Sequence, residues 1–241
     1  MFDFIKRLFK KEEIESSEQF KEEATIPEPV KEESPLEYLW TKFREKKFDE
    51  VISEASSIIE KNDELTKKEA LKLVGLSYFR QGKYKLSEAV FIQLTENSSS
   101  PGDWFNLLSC ATLNKNIELS EKALEKTIEF YSEHGTAEDL PIPQVFYYYM
   151  QALRDIKEYQ KAFVQLEKLK DIYCKLVITD PTFLYIRGVP FFEHAMSAGK
   201  EILEHIDKDQ AQKFLSELHS RLDEEGKEYI NNFEQTINYN S

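Results

Sequence analysis

Residues 70–94 read Ala70-Leu-Lys-Leu-Val-Gly-Leu-Ser-Tyr-Phe-Arg-Gln-Gly-Lys-Tyr-Lys-Leu-Ser-Glu-Ala-Val-Phe-Ile-Gln-Leu94. The spacing of large and small side chains in this stretch decides the fold class. Leu71, Val74, Gly75 and Tyr78 fall at i, i+3, i+4 and i+7, which is one apolar stripe of a helix. Gly82 offers the left-handed backbone that ends a helix, and Tyr84 opens a second one. Gly75 and Ser87 are small where two such helices would cross, and Phe91 is the aromatic beyond Ser87. The stretch predicts two short antiparallel helices joined by a tight turn.

The same pattern recurs on either side. Downstream it returns at Trp104, Leu107, Leu108, Ala111, Ile117, Ser120 and Leu124, a step of 33 residues from Leu71 to Trp104. It returns again at Phe146, Tyr149, Met150, Leu153, Tyr159, Ala162, Leu166 and Leu169, where the step from Trp104 to Phe146 is 42 residues. The added length falls around Ser132 to Pro143, a turn-like stretch with Gly135 and two prolines. Upstream, Leu36, Leu39, Trp40 and Phe43 make a looser stripe, with Phe48, Val51, Ala55 and Ile58 as its partner. Self-similarity at such a period is the mark of a repeat architecture.

The unit at 70–94 closely resembles a tetratricopeptide repeat (TPR), and the resemblance covers about residues 36–174. It implies an all-α, TPR-like helical-hairpin solenoid of about four units. Several positions depart from the family pattern. The proline that closes each unit is replaced by Ser99, Ser132 and Cys174. Leu108 and Met150 stand where the first helix is usually small, and Leu94 and Thr127 replace a usual alanine. These departures predict helix angles unlike those of a regular superhelix.

Beyond Asp180-Pro181 the pattern degrades. Phe183 to Ile186 and Phe191 to Ile206 predict a further helix pair, and Asp209 to Thr236 a last helix that bends or projects at Asp223-Glu-Glu-Gly-Lys-Glu. Terminal helices of stacked repeats cap the core with a polar outer face. The expected organisation is thus an N-terminal helix (1–11), an acidic linker (12–34), TPR-like repeats (35–178) and C-terminal capping helices (179–241).

The N-terminus has its own character. Met1, Phe2, Phe4, Ile5, Leu8 and Phe9 share one helical face, and Lys6, Arg7, Lys10 and Lys11 the other. That pattern suits docking on a membrane surface or a partner, and with four basic residues membrane attachment would be weak and reversible. The bland alternative is docking on the chain's own body. The segment is no secretory signal, because Lys6 and Arg7 interrupt the apolar run. Residues 12–34 hold nine glutamates against two lysines, with Pro27 and Pro29 preventing a continuous helix, and read as a self-repelling tether.

Across all 241 residues the net charge is −13. That balance argues against nucleic acid as a partner, since phosphate binding needs clustered Lys and Arg. Cys110 and Cys174 form no C-x-x-C pair and read as buried free thiols of a reducing compartment. With no apolar stretch of about 20 residues, the location expected is cytoplasmic, at most peripheral at the inner face of a membrane. No glycine-rich phosphate loop, G-x-S-x-G or H-E-x-x-H occurs. The Glu193-His194 and Glu204-His205 dipeptides lack the i, i+4 histidine pair of a metal helix. The sequence therefore predicts no enzyme, no cofactor and no metal.

In the family, the first helices of successive units line a concave groove that holds a peptide or a partner's helix. Carried over residue by residue, the resemblance places Lys72, Leu73, Leu76, Phe79 and Arg80 there from the second unit. Phe105, Asn106, Ser109 and Thr112 come from the third, and Tyr147, Tyr148, Gln151 and Arg154 from the fourth. Aromatics and Arg are the residues that dominate interface energy. Family members that grip a C-terminal carboxylate use Lys and Asn, which makes Lys72 and Asn106 candidates here. Tyr147, Tyr148 and Tyr149 cannot all face one way, so at least one belongs to the core. The expected function is a protein–protein adaptor or scaffold. The alternative is an inhibitor or immunity protein whose acidic surface neutralises a basic partner.

Overall fold

The apolar stripes of the sequence become paired helices. A computed structural model describes residues 34–61 and 63–239, which form twelve α-helices and no strand among the described residues. Four hairpins come first: α1 (Pro35–Arg44) with α2 (Phe48–Lys61), α3 (Glu64–Arg80) with α4 (Tyr84–Thr95), α5 (Pro101–Leu113) with α6 (Ile117–His134), and α7 (Ile142–Asp155) with α8 (Tyr159–Leu176). A short α9 (Pro181–Ile186) leads to α10 (Phe192–His205), α11 (Lys208–Arg221) and α12 (Glu224–Glu234). The N-terminal helix and all of the acidic linker except Ser34 lie outside the described residues, with Phe2, Phe4, Ile5, Lys6, Arg7, Leu8, Phe9 and Lys10 among them.

The hairpin that decides the fold closes as its small residues require. A Cβ at Gly75 would lie 2.8 Å from Phe91 Cε2, so α3 and α4 touch only because position 75 has no side chain. Ser87 is fully buried at the crossing and donates its hydroxyl to Gly75 O at 2.9 Å.

One turn is repeated through the stack, and the sequence discloses it only at Gly82. Gly82 has φ 73°, and Lys46, Lys115 and Lys157 hold the same place in the other hairpins at φ 62°, 64° and 68°. Each left-handed residue sends its N–H back to the third residue before it, and the next residue bonds five back, as in Lys115 N to Thr112 O and Asn116 N to Ala111 O. This is the Schellman closure, which satisfies the last carbonyls of a helix.

First helices lie beside one another, α1 against α3, α3 against α5 and α5 against α7, and α10 continues the layer on α7 and α8. One apolar core runs from Phe91 to Ile237, and a smaller one joins Leu39, Phe43, Val51 and Ala55 to Leu73 and Val74; Leu76 and Val90 touch both. The capping helices therefore share a core with the second, third and fourth hairpins. Tyr149 is the core member of the tyrosine triplet, its hydroxyl 3.1 Å from Ser120 Oγ. Cys110 is buried, and burial pushes its thiol up to about 12, whereas Cys174 is only half-buried, which corrects the expectation of two buried thiols.

The expected single helix over 209–236 is in fact two, α11 and α12. The chain turns extended at Leu222 (ψ 166°), and Asp223 caps α12 by accepting from Gly226 N at 2.9 Å. The same carboxylate accepts from Thr179 N and Thr179 Oγ1 at 2.9 and 2.7 Å, which ties the break to the end of the fourth hairpin.

Candidate functional site

The candidate face is the layer of first helices α3, α5 and α7, and its side chains divide into three groups. Leu73 and Thr112 are fully buried, so they do not line an accessible face. Leu73 packs with Leu39 and Phe43 of α1, which covers it, and Thr112 turns its hydroxyl to Leu108 O at 2.6 Å. Periodicity marks both as first-helix positions without showing which neighbouring helix covers them.

A second group is half-buried but held by the chain itself. Lys72 Nζ lies 2.8 Å from Glu69 Oε1 and 3.5 Å from Asp103 Oδ1. Asp103 is fully buried; it accepts from Ser98 Oγ at 2.6 Å and pairs with Lys68 Nζ at 2.9 Å. Burial pushes the Asp103 carboxyl up, but Ser98, Lys68 and Lys72 outweigh it and hold the group below the usual carboxylate range. Burial likewise opposes the charge on Lys72, and Glu69 and Asp103 reverse that effect. Lys72, expected as half of a clamp for a partner's carboxylate, thus faces an internal one. Arg154 is engaged as well. Its Nη2 and Nε both reach Asp155 Oδ1, at 2.9 and 3.2 Å, and Nη1 donates to Ala198 O of α10 at 3.1 Å.

The third group forms the face proper. Phe79 meets Tyr84 edge-on at 5.5 Å, and Phe105 of α5 meets Tyr148 of α7 in the same way at 6.2 Å. Tyr147 and Tyr148 lie 5.2 Å apart. Tyr147 also lies near Tyr173, whose hydroxyl is pushed far above its usual range by burial first and by Tyr147 second. Leu76, Asn106, Ser109 and Gln151 are half-buried beside these rings, Ser109 donating to Phe105 O at 2.9 Å. Arg80 has no ion-pair partner among the described residues, and its titration is pulled down by burial alone. A half-buried guanidinium without an internal partner can hold a carboxylate through two parallel hydrogen bonds. Sequence reasoning placed Arg80 and Arg154 alike on this face; the structure separates them, because α10 reaches only Arg154.

The histidines of the two Glu-His dipeptides lie apart from this face. His205 stacks on Tyr159 at 4.2 Å, and His194 sits near Phe191 at 5.3 Å on the first turn of α10.

No family model and no curated protein matches the sequence. Among solved structures, the chain resembles the crystal structure of a putative kinesin light chain variant with nearly identical TPR-like repeats from Podosopora anserina, at 11% identity and a TM-score of 0.52, with 83% of this chain and 93% of that chain covered. The repeated hairpins, their shared turn and this likeness agree that the chain is an all-α, TPR-like helical-hairpin solenoid.

Proposed function

We propose that the chain is a protein–protein interaction scaffold whose first-helix face holds a peptide or a helix of a partner protein. The observation behind the reading is the aromatic contact across helices between Phe105 and Tyr148, with the amides of Asn106 and Gln151 on the same two helices and Arg80, which has no ion-pair partner among the described residues, at the end of the neighbouring α3. Rigid aromatic rings and Arg supply most of the binding energy of protein interfaces. Amide side chains can both donate to and accept from a bound backbone. The chain acts by binding rather than by catalysis and requires no cofactor. The segment 1–11 then serves as a tether to a membrane surface or a partner across the acidic linker, in a cytoplasmic protein. No described helix is long and apolar enough to cross a membrane.

The test is capture of a protein partner by the full chain and by a Phe105→Ala/Tyr148→Ala variant of unchanged helicity. Capture should fall by at least roughly 30-fold, since two central aromatics are removed. Undiminished capture refutes the face. Co-sedimentation of the full chain with anionic vesicles at low and moderate salt tests the tether separately. A second reading, inhibition of a basic partner, follows from the net charge of −13, and binding that ignores added salt counts against it.

A further inference from the structure

A cleft of about 220 Å³ lies at the other end of the described fold, where the first turns of α10 and α12 meet the start of α9. Its walls are aromatic: Phe191, Phe192 and Tyr229, with His194 beside Phe191. Phe192 meets Tyr229 edge-on at 5.5 Å, and Tyr229 stacks on Phe233 at 5.9 Å, so the Tyr229 ring is held on two sides. Glu193 and Glu225 complete the lining.

The two glutamates share this cleft without a cationic partner among the described residues, as Glu37, Glu118 and Asp209 in other first turns also lack one. Glu64 and Glu224, also in first turns, pair with Lys67 and Lys227 at 2.8 and 2.7 Å. Glu193 is followed at i+3 and i+4 by Met196 and Ser197, and Glu225 by Glu228 and Tyr229. Neither side chain makes an ion pair or hydrogen bond among the described residues. A helix N-terminus offsets only about half a unit charge, so the cleft remains net negative. The Tyr229 hydroxyl donates to Glu193 O at 3.5 Å, and both residues line the cleft; burial first and the Glu193 charge second raise that hydroxyl.

We infer that this cleft seats the cationic end of one arginine or lysine side chain from a protein partner. Aromatic faces attract such cations, and the two carboxylates supply the opposite charge. The volume lies below the roughly 300–1,000 Å³ of sites for drug-sized ligands and suits one side-chain end. The site is independent of the first-helix face, so either can fail alone.

The experiment is an amide-resolved NMR titration of the full ¹⁵N-labelled chain with blocked arginine, lysine and leucine amides. Saturable shifts should appear at 191–194 and 225–229 with the arginine and lysine probes and not with leucine. Glu193→Gln/Glu225→Gln should weaken that binding roughly fivefold or more, as two exposed ion pairs warrant. Glu118→Gln/Glu125→Gln, which removes equal charge from α6, should leave it within about twofold. Three results overturn the inference: no saturable shifts with the cationic probes, equal shifts with leucine, or equal weakening by both double variants. The last would assign the binding to the general field of an acidic chain.

Discussion

Substituting Asp103 tests how one helix pair is joined to the next. Its carboxylate, fully buried at the start of α5, accepts from Ser98 Oγ at 2.6 Å and reaches back to α3, 2.9 Å from Lys68 Nζ and 3.5 Å from Lys72 Nζ. Removing one partner of a fully buried ion pair costs about 3–5 kcal/mol. Here the stranded lysines are 35% and 24% exposed and can turn toward water, which lowers the cost. The lost charge-assisted bond from Ser98 still contributes about 1.5–3 kcal/mol. Asp103→Ala should therefore lower the unfolding free energy by about 2 kcal/mol, and Asp103→Asn, which keeps the shape, by about 1 kcal/mol. The effect is linked to pH. A carboxyl held low in the folded state stabilises above its unfolded value of about 3.9 and loses that contribution as pH falls through the folded value. The margin of the natural chain over Asp103→Asn should be full at about pH 7 and shrink below about pH 4. Urea unfolding at several pH values, followed by circular dichroism, measures it. Trp104 fluorescence gives a local reading, because its indole N–H donates to Ser98 O at 2.8 Å. A margin unchanged with pH, or an Asp103→Ala cost under about 0.5 kcal/mol, would refute the reasoning.

Two further predictions concern the hairpins. Lys115→Gly and Lys157→Gly should each raise the thermal unfolding midpoint, by about 0.5–1 kcal/mol of stability, because a lysine at φ 64° or 68° bears left-handed strain that glycine lacks. A loss of stability in both would show that the lysine side chains matter more than the backbone. Gly75→Ala gains about 1 kcal/mol of helix propensity but places a Cβ 2.8 Å from Phe91 Cε2, an overpacking of about 1–3 kcal/mol. Net destabilisation of roughly 1 kcal/mol is expected by urea unfolding, with recovery in Gly75→Ala/Phe91→Leu. A net gain would mean that the helices do not touch there.

The hairpins were legible because their signals are local. An apolar stripe of helical period, a small residue at the crossing and a glycine at the turn all lie within residues 70–94. The step of 33 residues between units, and the longer one of 42, recur in the turns from Gly82 to Lys115 and from Lys115 to Lys157. Local chemistry was also present where the reading missed it. Asp223 is an ordinary N-cap residue, and its place before Glu-Glu-Gly is the signal that α11 and α12 are separate.

Sequence by itself determined that the chain is a stack of amphipathic helix pairs, since the period of the apolar residues fixes which face of each helix must be buried. It did not determine what buries that face or where each charge goes. Asp103, third in the helix after Ser100, reads locally as a capping carboxylate, yet it serves Lys68 and Lys72 of the preceding pair. Leu73 is sealed by α1, Arg154 is held by Ala198 of α10, and Asp223 is held by Thr179. Lys68 and Asp103 are 35 positions apart, and each of the other two bonds spans 44 residues. Periodicity reports only the nearest turns of a helix, so such partnerships exist only once the pairs have stacked, and the stacking decides which side chains remain on the first-helix face to meet a partner.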